Sequence, residues 1–129
     1  MTENEIGTLV VNAAYEVHIR LGPGLLESAY HKCLVYELKT QGLDISTEVQ
    51  LPLRYKNIEL DCGYRLDILI EKKVVIEIKT VEKLKDIHTA QLLTYLKLTR
   101  CRLGYLLNFH TPKIKYGIKR VVNKLGWEK

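Results

Sequence analysis

The sequence predicts a mixed α/β fold built around one β-sheet, in the order α-α-β-β-β-β-α-β-β. Two shifts in hydrophobic period carry this expectation. Apolar residues recur at three- and four-residue spacing up to about Thr40, alternate from Asp44 onward, and return to helical spacing between Asp86 and Leu98. Length adds a third observation. A chain of 129 residues can bury roughly two-thirds of its unfolded surface, enough for one core and for a single domain over residues 1–129.

The first helix opens on Thr2-Glu-Asn-Glu5, the form of a capping box. Its apolar stripe is Ile6, Leu9, Val10, Ala13, Ala14, Val17 and Leu21. Gly22-Pro23-Gly24 stops it, because glycine tolerates a left-handed cap and proline cannot continue a helix. A second helix is expected from about Leu25 to Thr40, with Gly42 behind it. Val49, Leu51 and Leu53 then alternate with polar partners as a strand, in which Pro52 marks an edge or a bulge. Lys56-Asn57 reads as a turn into a short strand from Ile58 to Leu60. Gly63 introduces a separate strand, Tyr64–Ile70, which a turn at Glu71-Lys-Lys73 joins to Val74–Lys79 as an antiparallel hairpin. Asp86 is the expected N-cap of the third helix. Strands are expected over Arg102–Phe109 and Lys113–Ile118, before a tail around Val121 to Leu125 that leads to Trp127.

Composition excludes several classes. Hydrophobic residues at 47% with 27% charged residues are globular, not disordered. No apolar run approaches the roughly 20 residues of a membrane span, so no membrane partner is expected. The acidic start lacks the basic and apolar regions of a signal peptide, and a cytoplasmic location is expected. Cys33, Cys62 and Cys101 are odd in number and far apart, which argues against a disulfide framework or a cysteine-rich zinc site; they read as small core residues. The net charge of +5 is unevenly placed: no acid occurs between Asp86 and Glu128. That stretch holds Lys113, Lys115, Lys119 and Arg120 among its bases, a field suited to a polyanion or simply a solvated basic surface.

Charged residues inside apolar strands need a reason, because unpaired burial costs several kcal/mol. Asp67 and Glu77 lie about five residues to either side of the Glu71–Lys73 turn, so antiparallel pairing makes them cross-strand neighbours. Alternation puts Lys79 on the face of Glu77. Adjacent carboxylates repel unless one is protonated or a cation separates them. Mg²⁺ is the economical solution, since it needs only one or two protein carboxylates. Lys79 can then stabilise charge on a phosphoryl group. The alternative is a cross-strand salt-bridge ladder on an exposed sheet face. Glu27 sits where a helix N-terminus favours an acid. Gln91 and Tyr95 share a helix face at i and i+4. The four histidines show no ligand spacing and read as structural or surface residues.

Asp67, Glu77-Ile-Lys79 and an upstream helical Glu27, in αβββαβ order, resemble the PD-(D/E)XK nuclease superfamily. Gln91-Leu-Leu-Thr-Tyr95 is similar to the Q-x-x-x-Y motif of its RecB-type branch. Gly24-Leu-Leu-Glu27-Ser-Ala-Tyr30, Gly63-Tyr-Arg-Leu-Asp67 and Ala90–Thr99 together resemble the GxxExxY family. The resemblance implies a restriction-endonuclease-like core. It also implies a Mg²⁺- or Mn²⁺-dependent hydrolase that cleaves phosphodiester bonds of nucleic acid, expected to be DNA, with metal-activated water. Asp67, Glu77 and Glu27 would hold the metal, Lys79 would be the catalytic lysine, and Gln91 and Tyr95 would support the site. Leu66 stands where the superfamily name has proline. Lys113, Lys115, Lys119 and Arg120 would contact phosphates. Analogy with enzymes that cut duplexes adds a homodimer. The competing expectation is a non-catalytic module on the same fold, binding nucleic acid or another protein.

Overall fold

The structure is a computed structural model and describes residues 1–124. Its elements are α1 (Glu3–Leu21), α2 (Glu27–Thr40), β1 (Ile45–Tyr55), β2 (Ile58–Ile70), β3 (Val74–Lys79), α3 (Asp86–Thr99), β4 (Leu103–Asn108), a 3-10 turn (Ile114–Tyr116) and β5 (Ile118–Val122). The strands form one sheet in the order β1-β2-β3-β4-β5. Every neighbouring pair is antiparallel except β3 and β4, which α3 connects as a parallel crossover.

Helices cover both faces. Ile6, Val10 and Ala14 of α1 and Tyr30, Leu34 and Leu38 of α2 pack on Ile76 and Ile78 of β3. Leu92, Tyr95 and Leu96 of α3 pack on Val75 and Leu106 from the other side. Because β3 is covered on both faces, its residues Val74–Ile78 are all buried, and the alternation that suits a half-exposed strand gives way to an apolar run. The sheet is thus the middle layer of three.

The expected capping box at Thr2 and Glu5 is present, and Gly22 caps α1 at φ 68°. Some boundaries differ from expectation, and Pro52 meets it. The two strands expected over Ile58–Leu60 and Tyr64–Ile70 are one strand, β2, because Gly63 bends the chain at φ 76° without ending its pairing with β1. Pro52 lies both on an edge strand and at a bulge: Leu51 pairs with Tyr64 and Leu53 with Leu60, so Asp61–Gly63 stand opposite Pro52 alone. Ile114–Tyr116 is a 3-10 turn instead of a strand, and β5 takes up Val121 and Val122. Asp86 is the first helical residue of α3, after the cap residue Lys85, whose amide is accepted by His88 Nδ1 at 2.9 Å. Leu125 and Trp127 lie outside the described residues.

The outer halves of β1 and β2 form a two-stranded arm, since β3 pairs with β2 only over Ile68–Ile70. Tyr55, Ile58, Leu60 and Tyr64 are exposed on it. Cys62 is also exposed there, not in the core, because β2 continues past the layer of helices.

Gly117 is fixed by a close approach. Its carbonyl accepts from the Asn108 amide at 2.8 Å, and a Cβ at this position would stand 2.0 Å from the Asn108 carbonyl oxygen. Gly117→Ala is expected to destabilise the protein by about 1–3 kcal/mol, read as a lower urea midpoint at unchanged slope. An unchanged midpoint would show that β5 can move off β4 freely.

Candidate active site

Three elements build the site: the middle of β2, the end of β3 and the start of α2. On β1, Ile45 packs toward α1 and α2, whereas Val49 and Leu51 pack toward α3. On β2, Ile68 and Ile70 pack toward α1 and α2, whereas Leu66 packs toward α3. Residues of one parity thus change face in both strands. The change falls between Thr47↔Ile68 and Val49↔Leu66, at Glu48 and Asp67. Glu48 makes the turn with a φ of 50°. Asp67 thereby leaves the usual in-or-out choice of a strand residue and reaches toward β3.

There it meets Glu77. The β2–β3 ladder ends at Ile68↔Ile76, one pair short of Asp67 and Glu77. In place of the next ladder bonds, the Asp67 amide donates to Glu77 Oε2 at 2.7 Å and the Ile78 amide donates to Asp67 Oδ2 at 2.7 Å. Each carboxylate is therefore held by a backbone amide of the opposite strand, with its second oxygen uncommitted among the described residues. Both bonds are at the short end of the range for an amide donor.

Lys79 follows on the α3 face, as alternation requires. Its ammonium donates to Gln91 Oε1 at 3.3 Å, and Gln91 Nε2 donates to the Tyr95 hydroxyl at 3.3 Å. Gln91 thus relays between the lysine and α3. The chain leaving Lys79 is clamped by the buried Asn108, which accepts from the Val81 amide at 3.1 Å and donates to the Val81 carbonyl at 2.8 Å. Across the sheet, Glu27 is the first residue of α2. The loop before it is fixed by Tyr30, whose hydroxyl donates to the Gly22 carbonyl at 2.6 Å and accepts from the Leu25 amide at 3.1 Å. The Tyr30 ring stacks on Phe109 at 4.5 Å. The spacing from Gly24 through Glu27 to Tyr30 is thereby a mechanical unit, in which the tyrosine anchors the loop that presents the acid.

Burial pushes all three acids upward, and a neighbouring carboxylate adds to it in each case, Glu48 for Asp67 and Asp67 for the other two. Glu77 rises to about 8, chiefly through loss of solvent and then through the Asp67 carboxylate. Asp67 and Glu27 are raised by the same first cause, and Asp67 adds to the rise at Glu27. Burial and the charges of Glu77 and Asp67 also raise the Tyr95 hydroxyl. A group of carboxyls that resists full ionisation is a place where a cation can replace a proton. Among the described residues, no three His, Cys, Asp or Glu side chains form a complete metal cage. Two facing carboxylates with a third at the rim suit an ion that keeps several waters, as Mg²⁺ does.

The remaining candidates are more scattered. Lys119 pairs with Leu106, which pairs with Glu77, so it lies in the row of Glu77 two strands away. Arg120 instead donates to Asn4 Oδ1 in the first turn of α1 at 2.8 Å. Lys113 and Lys115 flank a cleft beside Gly22 and Pro23. His18 and His88 are engaged with backbone groups, Thr111 O and the Lys85 amide. Sequence reasoning missed His31, Glu48 and Arg65, which share a cavity of about 570 Å³ with Glu27 and Asp67. His31 had a signal, since it follows Glu27 by four residues on one helix face. Glu48 had none, because its place depends on a change of strand face.

The PD-(D/E)XK nuclease superfamily model matches residues 4–121. Among solved structures, the crystal structure of SSO0001 is similar at 26% identity, with a TM-score of 0.57 over 94% of this chain. The chain spans 59% of the length of that protein. No curated protein matches it. No helix among the described residues is long and apolar enough to cross a membrane. With the match running from the first turn of α1 into β5, and a five-stranded sheet flanked by helices beneath it, the chain belongs to the PD-(D/E)XK nuclease superfamily.

Proposed function

We infer that the protein is a divalent-metal-dependent nuclease that hydrolyses phosphodiester bonds of nucleic acid, with DNA as the substrate and Mg²⁺ or Mn²⁺ as the ion. The observation that carries this reading is the facing pair of Asp67 and Glu77, each held by an amide of the other's strand, with Lys79 two residues beyond. The donor set is hard oxygen, which suits Mg²⁺ and disfavours softer ions. Asp67 and Glu77 would hold the ion, with Glu27 at its rim. Such an ion supplies Lewis-acid polarisation of the phosphate and a lowered pKa for water. Lys79, aimed by Gln91, would place an ammonium group against charge developing on the phosphoryl oxygens. The Tyr30-anchored loop supports placing the chain with the GxxExxY proteins inside the superfamily.

Cleavage of plasmid or linear DNA in Mg²⁺ tests this. Chelation should abolish it, and Asp67→Ala, Glu77→Ala or Lys79→Ala should each reduce the rate by the order of 10²-fold or more. Cleavage that survives Asp67→Ala unchanged would overturn the catalytic assignment. Salt-sensitive DNA binding without cleavage under any divalent ion would instead favour a binding module.

The raised Glu77 gives a second test. Without a divalent ion, the folded protein holds a proton on Glu77 that the unfolded chain releases in the ordinary carboxylate range. Between that range and about pH 8 the native state binds more protons, so stability falls as pH rises. The melting temperature of the metal-free protein should therefore drop across this window, and Glu77→Gln should flatten the drop. Added Mg²⁺ should stabilise the wild type most at the alkaline end.

A further inference from the structure

The cavity beside the acids is lined by two unlike walls. Helix α2 contributes Glu27, His31 and Lys32, and the sheet contributes Glu48, Arg65 and Asp67. At about 570 Å³ it is large enough for a nucleotide-sized group. Of its acids, Glu27 and Asp67 are accounted for by the divalent-ion reading. Its bases are not.

Lys32 and Arg65 are exposed, and neither forms an ion pair among the described residues. Their surroundings explain why. Across the β1–β2 ladder, Arg54 faces Glu59, an opposite charge, but Arg65 faces Gln50. On α2, the residues three and four positions from Lys32 are Ala29, Val35, Ser28 and Tyr36, none of them acidic. By contrast, the exposed Arg20 of α1 pairs with Glu16 one turn away. Two cations without local partners therefore stand on opposite walls of one cavity, and His31 sits between Lys32 and the acids along α2. The change of strand face at Glu48 and Asp67 is what turns Arg65 toward α2 instead of α3.

Resting on the nuclease reading, we propose that Lys32 and Arg65 grip a backbone phosphate of the nucleic acid adjacent to the scissile one, so that the strand crosses the site on the α2 side of the sheet. His31 belongs to the same wall and faces Glu27 and Asp67. Three carboxylates in the cavity oppose an anion until a divalent ion offsets them. Phosphate capture by Lys32 and Arg65 is thus conditional on the ion: the substrate is held where it can be cut and released where it cannot.

The test is equilibrium binding of a short labelled DNA duplex to the full chain in Ca²⁺, followed by anisotropy across a salt series, with Lys79→Ala as the cleavage-silenced parent. Lys32→Ala and Arg65→Ala should each weaken binding roughly three- to tenfold and make the salt slope shallower by about one. Arg65→Lys should restore most of the loss, and chelation should weaken the parent more than a variant carrying both Lys32→Ala and Arg65→Ala. Both positions are exposed, so circular dichroism is expected to show intact folding. If the parent binds and the two variants bind equally well, while Lys113→Ala or Lys115→Ala weakens binding, this phosphate site is wrong and the nuclease reading stands. A parent that binds no nucleic acid with or without divalent ion overturns both.

Discussion

Two hydrogen bonds between β2 and β3 hold the rest of the site in place. The Asp67 amide on the Glu77 carboxylate, and the Ile78 amide on the Asp67 carboxylate, replace the ladder bonds that would otherwise follow Ile68↔Ile76. A buried amide left without a partner costs about 1–3 kcal/mol, and a buried carboxylate without one costs more. The exchange satisfies both kinds of group at once. It also makes the two acids interdependent, because removing either leaves an amide of the opposite strand unpaired. The repulsion between them is not removed by this arrangement, and it adds to the loss of solvent that chiefly elevates Glu77. The strands thus carry an electrostatic conflict that a bound cation would relieve, at the point where chemistry is expected.

That exchange needs the strands to part, and the parting has a source in β1. Glu48 adopts a left-handed backbone conformation, which costs a non-glycine residue about 1–2 kcal/mol. At the same level both strands change which face their side chains serve. The inner halves of β1 and β2 fill the core under α1 and α2, and the outer halves fill the core under α3 before running out into the arm. One local strain therefore does two things: it lets one hairpin serve two cores, and it directs Asp67 toward β3 and Arg65 toward α2.

Much of this was legible in the sequence, for physical reasons that can be named. The helices were readable because Gly22-Pro23-Gly24 and the capping box at Thr2 are local devices. The meeting of Asp67 and Glu77 was readable because a tight turn at Glu71–Lys73 fixes register over the next few residues. The shared helix face of Gln91 and Tyr95 was readable from their i, i+4 spacing, but the bond from Lys79 to Gln91 was not, since it depends on which face of the sheet α3 covers. The continuity of β2 was not readable, since Gly63 marks a bend as readily as an end. The face change at Glu48 was invisible, because a regular period of two puts Val49 and Ile45 on one side. With that period assumed, Arg65 has no reason to meet Lys32, and the cavity between them cannot be anticipated. Asn108 was hidden too, as its role depends on the path of Val81 after β3.

Charge distribution shows most clearly how position in space overrides position in the chain. Among the described residues the acid-free stretch after Asp86 runs through α3, β4 and β5, and Lys119 lies in the row of Glu77 with Leu106 between them. Two strand spacings are about 10 Å, close to one Debye length at moderate salt. A cation at that distance contributes to the field that draws a polyanion in, but it does not fix where a phosphate comes to rest. Arg120 is drawn further from the task by Asn4. Lys32 and Arg65, by contrast, come from the acidic part of the sequence and touch the cavity itself. Attraction and positioning are then divided between two sets of bases. On the reading proposed above, the numerous ones in the last third would set the long-range field, and the two at the cavity would decide which phosphate lies over Asp67 and Glu77.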